Sequence, residues 1–521
     1  MEDIVNIQLK KILRVIGKVL LHLFSLGLIP LDLYVLNIDE NLAIALTMIW
    51  IVLISVIFAL VKNKMRKVEK GDKPKGTQRA GRILFCVLDV FIVILMFVQT
   101  KCSPFWNSEA FRNTDWSSDS GNRVLTVEQA LSDYDFAMKY LKKIHPLTID
   151  GLPQDVSVQA QTVRAEIESR DSVYGWELSG MLESIFALLG DGHTYVSENY
   201  AESHYMKHIY EHRIAGDVLV GINGITLEEM LRGDPALVSY EREEYGIRLL
   251  KNRVSTLEGL RYLGIDTSQE ITYNYRTVSG APVDVKVSAE DFLVMEEYLD
   301  YEEAATGEDL RKGSDDRDFV SYEIDNDLSL AILTLDDCIY NSHYRETLRQ
   351  MFEEVYSGNI QNVAVDLRSN SGGSSMVADE FIHYLDVPEY RSWAQEIRYG
   401  PFYIREKAST DRNKRSGHGF DGNVYVITSV FTYSSAMDFA MLIQDNGLGQ
   451  VLGETSGNMP ASYGDVVSFQ LPGSKLFMKI SRKKWHRVDE SKEDLPIIPD
   501  ILCDPDDAID VLKEKTIDDR S

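Results

Sequence analysis

At 521 residues, with 44% hydrophobic and 26% charged side chains, the chain is long enough for two to four domains with buried cores. It carries 54 Lys and Arg against 81 Asp and Glu, a formal net charge of −27. Residues 1–82 hold 13 basic and 7 acidic residues, which leaves 41 against 74 beyond Arg82. A surface so acidic repels nucleic acid and anionic lipid, and both are excluded as partners of that part.

Three apolar runs open the chain. Val19–Leu36 is interrupted by His22, Pro30 and Asp32, whereas Leu42–Val61 is free of charge and long enough to cross the hydrocarbon. Ile83–Val98 is shorter and contains Asp89. Three runs without a small-residue cleavage site do not make a signal peptide. The stretch Lys10–Lys18 and the linker Lys62–Arg82 are strongly basic, and the turn Asn37–Asn41 is acidic. The positive-inside rule therefore places the N-terminus and the linker in the cytoplasm and everything beyond about residue 100 outside it. The expected location is the cell membrane, multi-pass, with the large C-terminal part extracytoplasmic.

Residues 101–124, rich in Ser, Asn, Asp and Trp, read as a linker. Val127–Ile144 has Ala130, Tyr134, Met138 and Leu141 at helical spacing, with Thr126 placed to cap it. Trp176–Leu189 repeats that pattern and stops at Gly190. Gly216–Leu231 reads as strand, Asn223-Gly224 turn, strand end and helix, and Ile271–Val287 alternates like a hairpin. Asp300–Asp318 is an acidic linker or exposed loop. The last third alternates β and α: strands at Leu328–Leu335, Val363–Leu367 and Val424–Ser429, and helices at Tyr344–Tyr356, Met376–Leu385 and Ser435–Asp445. That order argues for an α/β core. Cys338 and Cys503 are expected to be buried free thiols, and no cysteine or histidine spacing suggests a metal site; no metal and no cofactor are expected.

Three stretches could carry chemistry. Gly190-Asp191-Gly192-His193-Thr194 follows a helix and presents a histidine, which is either a general base or a polar turn residue. The strand Val363–Leu367 runs into a loop with Gly372 and Gly373, where successive N–H groups could hold a phosphate or an acyl oxyanion, or simply make a tight turn. Ser434 stands between a strand and a helix, as a nucleophile with the positive helix end behind it or as an N-cap.

Taken in order, these stretches resemble the C-terminal-processing (tail-specific) serine peptidases and their relatives built like the tricorn core protease. Asp191–Thr194 is similar to the family's DGHT, and Asp366-Leu367-Arg368-x-Asn370-x-Gly372-Gly373 to its DLRxNxGG loop. Thr432–Ala440 resembles the nucleophile turn TxSAAEDFA, Gly453–Gly457 the GETxG stretch, and Glu493–Asp500 the ENxGVxPD segment. The resemblance spans roughly residues 125–510. It implies a ClpP/crotonase-like β-α core at 320–515 and a helical subdomain at 125–204 carrying the histidine. A PDZ-like or shorter β insertion follows at 205–290, and a membrane anchor of two to three helices occupies 1–100. The family's dyad lysine is missing, because its place reads Gly457-Asn458-Met459, while Lys475 and Lys479 lie in what looks like another strand. Met437 stands where the family has Glu.

The resemblance therefore implies a tricorn-like site. Ser434 would be the nucleophile, His193 the base and Glu493 the orienting acid, with Thr194 as a candidate intervening hydroxyl. The oxyanion would be held by Gly372, Gly373 and Ser435. The implied activity is a membrane-anchored, extracytoplasmic serine endopeptidase acting on polypeptides. The alternative is a degenerate peptidase fold that binds peptides or small ligands at the membrane surface.

Overall fold

The computed structural model describes residues 118–207, 212, 215–306, 318–399 and 402–518. The three apolar runs lie outside these residues. Among the described residues, no helix is long and apolar enough to cross a membrane.

The core is a six-stranded sheet in the order Val320–Asp325, Leu330–Leu335, Asn362–Asp366, Asn423–Thr428, Gln450–Gly453, Ile501–Leu502. The first pair is antiparallel and the others are parallel. Parallel strands need crossovers, and the chain supplies helices Ser342–Ser357, Met376–Ile382 and Ser435–Asp445 between them. Alternate residues face opposite layers. Ala331, Leu333, Val363, Val365, Val424 and Val426 join those helices in one apolar cluster. Leu330, Ile332, Ala364, Tyr425, Ile427 and Leu452 pack on the other face against Ala508 and Leu512 of the C-terminal helix Ala508–Asp518. Burial on both faces is why these strands read as unbroken apolar runs.

A second sheet carries the antiparallel hairpin Tyr463–Gln470 and Phe477–Trp485. Tyr195–Ser197 pairs with the start of Phe477–Trp485 and Gln395–Tyr399 with its end. Apart from a strand near Lys475 and Lys479, the sequence shows no signal for this sheet; its strands carry runs such as Ser481-Arg482-Lys483-Lys484, which hide the alternation.

Helix Val127–Ile144 has the expected bounds, and Thr126 forms a capping box with Gln129. Helix Gly175–Phe186 passes into a short 3-10 turn that Gly190 ends in the left-handed conformation, φ +61°. Between residues 218 and 287 a four-stranded antiparallel sheet runs Ile225–Thr226, Val218–Ile222, Ile271–Arg276, Pro282–Val287. Asn223 and Gly224, both at positive φ, make its first turn. It has its own apolar cluster with helices Leu227–Gly233, Glu243–Val254 and Leu257–Tyr262. Both described cysteines are free thiols; Cys338 is buried, but Cys503 is only partly so, which corrects the expectation of two buried thiols.

Candidate active site

Strands Asn362–Asp366 and Asn423–Thr428 are parallel neighbours, so their C-terminal loops leave the sheet at the same edge. Ligand sites of open α/β sheets form at such edges. The two loops are tied together: Thr432 Oγ donates to the carbonyl of Leu367 at 2.8 Å, Ser429 Oγ to that of Arg368 at 2.5 Å, and Tyr433 N–H to that of Asn370 at 3.0 Å.

Ser434 sits at the turn's apex with φ +54° and ψ −127°, directly before the helix Ser435–Asp445. A non-glycine residue in that region carries strain on the order of 1–3 kcal/mol, and such strain concentrates at functional sites. Its side chain does not cap the helix. Its N–H donates to Asn458 Oδ1 at 2.8 Å, so the asparagine at the family's lysine place is a buried brace for the nucleophile's backbone.

Gly372 and Gly373 have φ of +108° and +138°. A Cβ on Gly372 would lie 2.6 Å from Ser434 Cβ, and one on Gly373 2.5 Å from the carbonyl of Cys338. Both positions thus require glycine for backbone conformation and for close approach. The Gly372 N–H donates to Asn370 Oδ1 at 2.8 Å, which takes it out of the expected oxyanion set. Among the described residues the N–H groups of Gly373 and Ser435 have no acceptor, although Ser435 Oγ donates to the Gly373 carbonyl at 2.9 Å. Two free N–H groups beside a strained serine suit an oxyanion.

His193 packs its ring on that of Tyr433, the residue before the serine, with centroids 4.8 Å apart. Its Nδ1 lies 3.7 Å from both Asp191 Oδ1 and Glu241 Oε1. That is too long for a hydrogen bond, so the attraction is coulombic, and neither ring nitrogen has a hydrogen-bond partner. Burial opposes protonation of His193, but the Asp191 and Glu241 carboxylates outweigh it and raise its pKa to about 9. Burial likewise opposes the Asp191 anion, and donors from His145 and His193 outweigh it, holding that carboxyl far below the usual range. Glu241 is raised by burial, against the pull of His193; it accepts from the N–H of Met459 at 2.8 Å. Asp438, in the first turn of the serine-bearing helix, is pushed up to about 7 by burial, with His193 drawing it down and Glu241 pushing it up.

The structure thus gathers Ser434, Gly373, Ser435 and His193 around Tyr433 and the helix start, without a hydrogen bond between His193 and Ser434. Glu493 makes no ion pair or hydrogen bond to either residue. Its carboxylate accepts from His486 Nδ1 at 2.7 Å and from the N–H of Arg487 at 2.9 Å. Thr194 Oγ accepts from the N–H of Ser481 at 2.9 Å, tying the histidine turn to the second sheet. Met437 is buried in the apolar core. Sequence reasoning missed Glu241, whose neighbours Glu243 and Glu244 offer no contrast, and the roles of Asp191 and Asn458. Donor atoms of Asp191, His193 and Glu241 lie within 4.8 Å of one another, close enough in principle for a cation; both carboxylates, however, already accept backbone N–H groups. A cavity of about 430 Å³ opens beside Gly192, lined among others by Tyr195, Ser239, Tyr245 and Arg253.

An α/β sheet with a strained serine at a helix start, free N–H donors and a neighbouring half-buried histidine has the architecture of a serine hydrolase. Residues 329–503 match peptidase family S41, and the chain carries an S41 serine peptidase domain there. Among solved structures it is similar to mature CPAF, with 13% identity, a TM-score of 0.52, and coverage of 75% of this chain and 96% of that one. Mature CPAF complexed with lactacystin gives 13%, 0.51, 75% and 97%. A photosystem II D1 C-terminal processing protease gives 11% identity and a TM-score of 0.41, covering 72% of this chain and 93% of that one. At these identities the CPAF likeness speaks for the fold alone.

Proposed function

We propose that the protein is a serine endopeptidase that cleaves polypeptides through Ser434 and His193. The strained Ser434, flanked by the free N–H groups of Gly373 and Ser435, carries the reading. Ser434 Oγ attacks the peptide carbonyl carbon while unprotonated His193 takes its proton. The carbonyl oxygen becomes an oxyanion between the two N–H groups. Collapse expels the amine, protonated by His193, and water then hydrolyses the acyl-enzyme by the same route. Asp191 and Glu241 take the acid's role beside His193 in this reading, because their carboxylates face its Nδ1, and Glu493 supports the neighbouring His486–Arg487 segment. The runs Val19–Leu36, Leu42–Val61 and Ile83–Val98 around a basic linker support a membrane anchor with the peptidase on the extracytoplasmic side.

One observation favours a second reading, a peptide-binding protein without turnover: with its pKa raised to about 9, His193 is protonated at neutral pH. Fluorophosphonate labelling of the full chain in detergent, at pH 7 and pH 9.5, separates the two. Labelling that grows with pH, is abolished by Ser434→Ala and is weakened by His193→Ala supports the peptidase. A folded parent that stays unlabelled at both pH values would sink it and leave the binding role.

A further inference from the structure

Behind the catalytic histidine lies a second histidine to which the mechanism above gives no work. His145 caps the C-terminal end of the helix Val127–Ile144, directly before Pro146. Its Nδ1 accepts the N–H of Leu147 at 3.2 Å, and its Nε2 lies 3.1 Å from Asp191 Oδ2, with both side chains fully buried. A ring that accepts at Nδ1 donates at Nε2 as the neutral imidazole, so the hydrogen bond runs from His145 to Asp191. The other Asp191 oxygen accepts the His193 N–H at 2.9 Å and faces His193 Nδ1. His145 is itself anchored, since its carbonyl accepts from Arg398, whose guanidinium also donates to Thr148 Oγ at 2.8 Å and to the Lys142 carbonyl at 2.6 Å. Its ring packs against Tyr463 of the second sheet at 4.7 Å.

We infer that His145 is a positioning residue of the peptidase site: its Nε2–H holds one oxygen of Asp191 so that the other is aimed at His193. This rests on the proposed peptidase reading for its consequence in catalysis, but the arrangement of the three side chains stands without it. The physical reason is the two-ended demand of a buried carboxylate. Each oxygen needs a donor, and an oxygen left without one carries a desolvation penalty that turns the group toward whatever donor remains. Without His145, Oδ2 has lost its donor, and the carboxylate, still held at Oδ1 by the His193 N–H, turns to bring Oδ2 toward another donor and carries Oδ1 off its line to Nδ1. The groups that face this chain of residues are Glu241, Asp438 and Tyr433 on the His193 side, and Arg398 and Tyr463 on the His145 side.

The test compares the full-length parent with His145→Leu and His145→Gln, the second keeping an amide N–H within reach of Asp191. Carbethoxylation of His193 by diethyl pyrocarbonate, followed by mass spectrometry of its peptide across pH, reads the protonation of that residue whether or not the protein is a peptidase. A loss of aim lowers the His193 midpoint in His145→Leu by about one pH unit, because its nearest raising carboxylate has moved, and His145→Gln recovers it. Fluorophosphonate labelling of Ser434 at pH 9.5 slows about tenfold in His145→Leu and recovers in His145→Gln. A midpoint that is unchanged or higher in His145→Leu overturns the inference, since loss of a mere structural contact lowers melting temperature and leaves His193 alone. If His145→Leu does not fold, His145→Asn, polar but one methylene short of Asp191, takes its place with the same expected outcomes. A parent that carbethoxylates as described but never labels at Ser434 refutes the peptidase reading and not the role of His145.

Discussion

The nucleophile side and the base side of the proposed site are built on opposite plans. Ser434, Gly372, Gly373 and Asn370 come from two loops at the ends of adjacent parallel strands, and hydrogen bonds from Thr432 Oγ, Ser429 Oγ and the Tyr433 N–H to backbone carbonyls set their geometry. His193 instead is surrounded from distant places: Glu241 from the chain before helix Glu243–Val254, Tyr433 from the nucleophile turn, and His145, acting through Asp191, from the end of the first described helix. Backbone geometry tolerates almost no substitution at the glycines, whereas a cluster of buried side chains can trade one carboxylate for another. The nucleophile side should therefore fail abruptly on substitution, and the base side by degrees.

The largest test is Ser434→Ala, which should abolish labelling, a loss of at least about a thousandfold, while the melting temperature stays in place, because alanine relaxes the backbone strain little or not at all. Met437→Glu, which restores the family's acid, comes next. Met437 is only 1% exposed within the apolar cluster, so the new carboxylate should destabilise the fold by about 3–5 kcal/mol in a denaturant titration instead of improving catalysis. Higher labelling from a stable Met437→Glu protein would show that the helix face is not what the core packing indicates.

Gly373→Ala should slow labelling on the order of a hundredfold, because the Cβ meets the Cys338 carbonyl and displaces a free N–H donor. On the base side, Glu241→Gln should move the pH midpoint of labelling below about 9 with a rate change of about tenfold, while Glu493→Gln leaves the midpoint in place. Equal shifts from both would break the assignment of the acid's role to Glu241.

The smallest effect is on stability. The His193 pKa is raised in the folded chain from an ordinary value of 6.5 to about 9. Its contribution is therefore complete below about pH 6.5 and lost as pH rises through about 9, the range in which labelling increases. Thermal melts of the parent should fall across that window, and those of His193→Ala should fall less.

Much of the nucleophile side could be read in the chain. Val363–Leu367 and Val424–Ser429 are apolar enough to be buried on both faces, and glycines at 372 and 373 beside a Ser-rich helix start marked the loops. The resemblance then assigned Ser434 as nucleophile and Gly372, Gly373 and Ser435 as oxyanion donors, roles that the labelling experiments test. The reading counted Gly372 among the donors because a sequence does not show that the Asn370 side chain occupies its N–H. It took Glu493 from its match to the family's ENxGVxPD segment, and a motif match does not report which carboxylate folds against His193. The hairpin Tyr463–Trp485 was largely hidden by its charged residues, among them Arg482 and Lys483, which pair with Asp465 inside the structure.

The sequence by itself determined the alternation of strand and helix, the places where glycine was required and the serine at a helix start. Those depend on apolar periodicity and backbone sterics, which act over a few residues. Only the tertiary structure decided that Asp191, Glu241 and Tyr433 converge on His193, that His145 backs Asp191, and that Asn458 braces Ser434 where a lysine is absent. Pairing of buried charges and donors depends on which surfaces meet once the sheets close, and widely separated residues carry no local mark of that meeting.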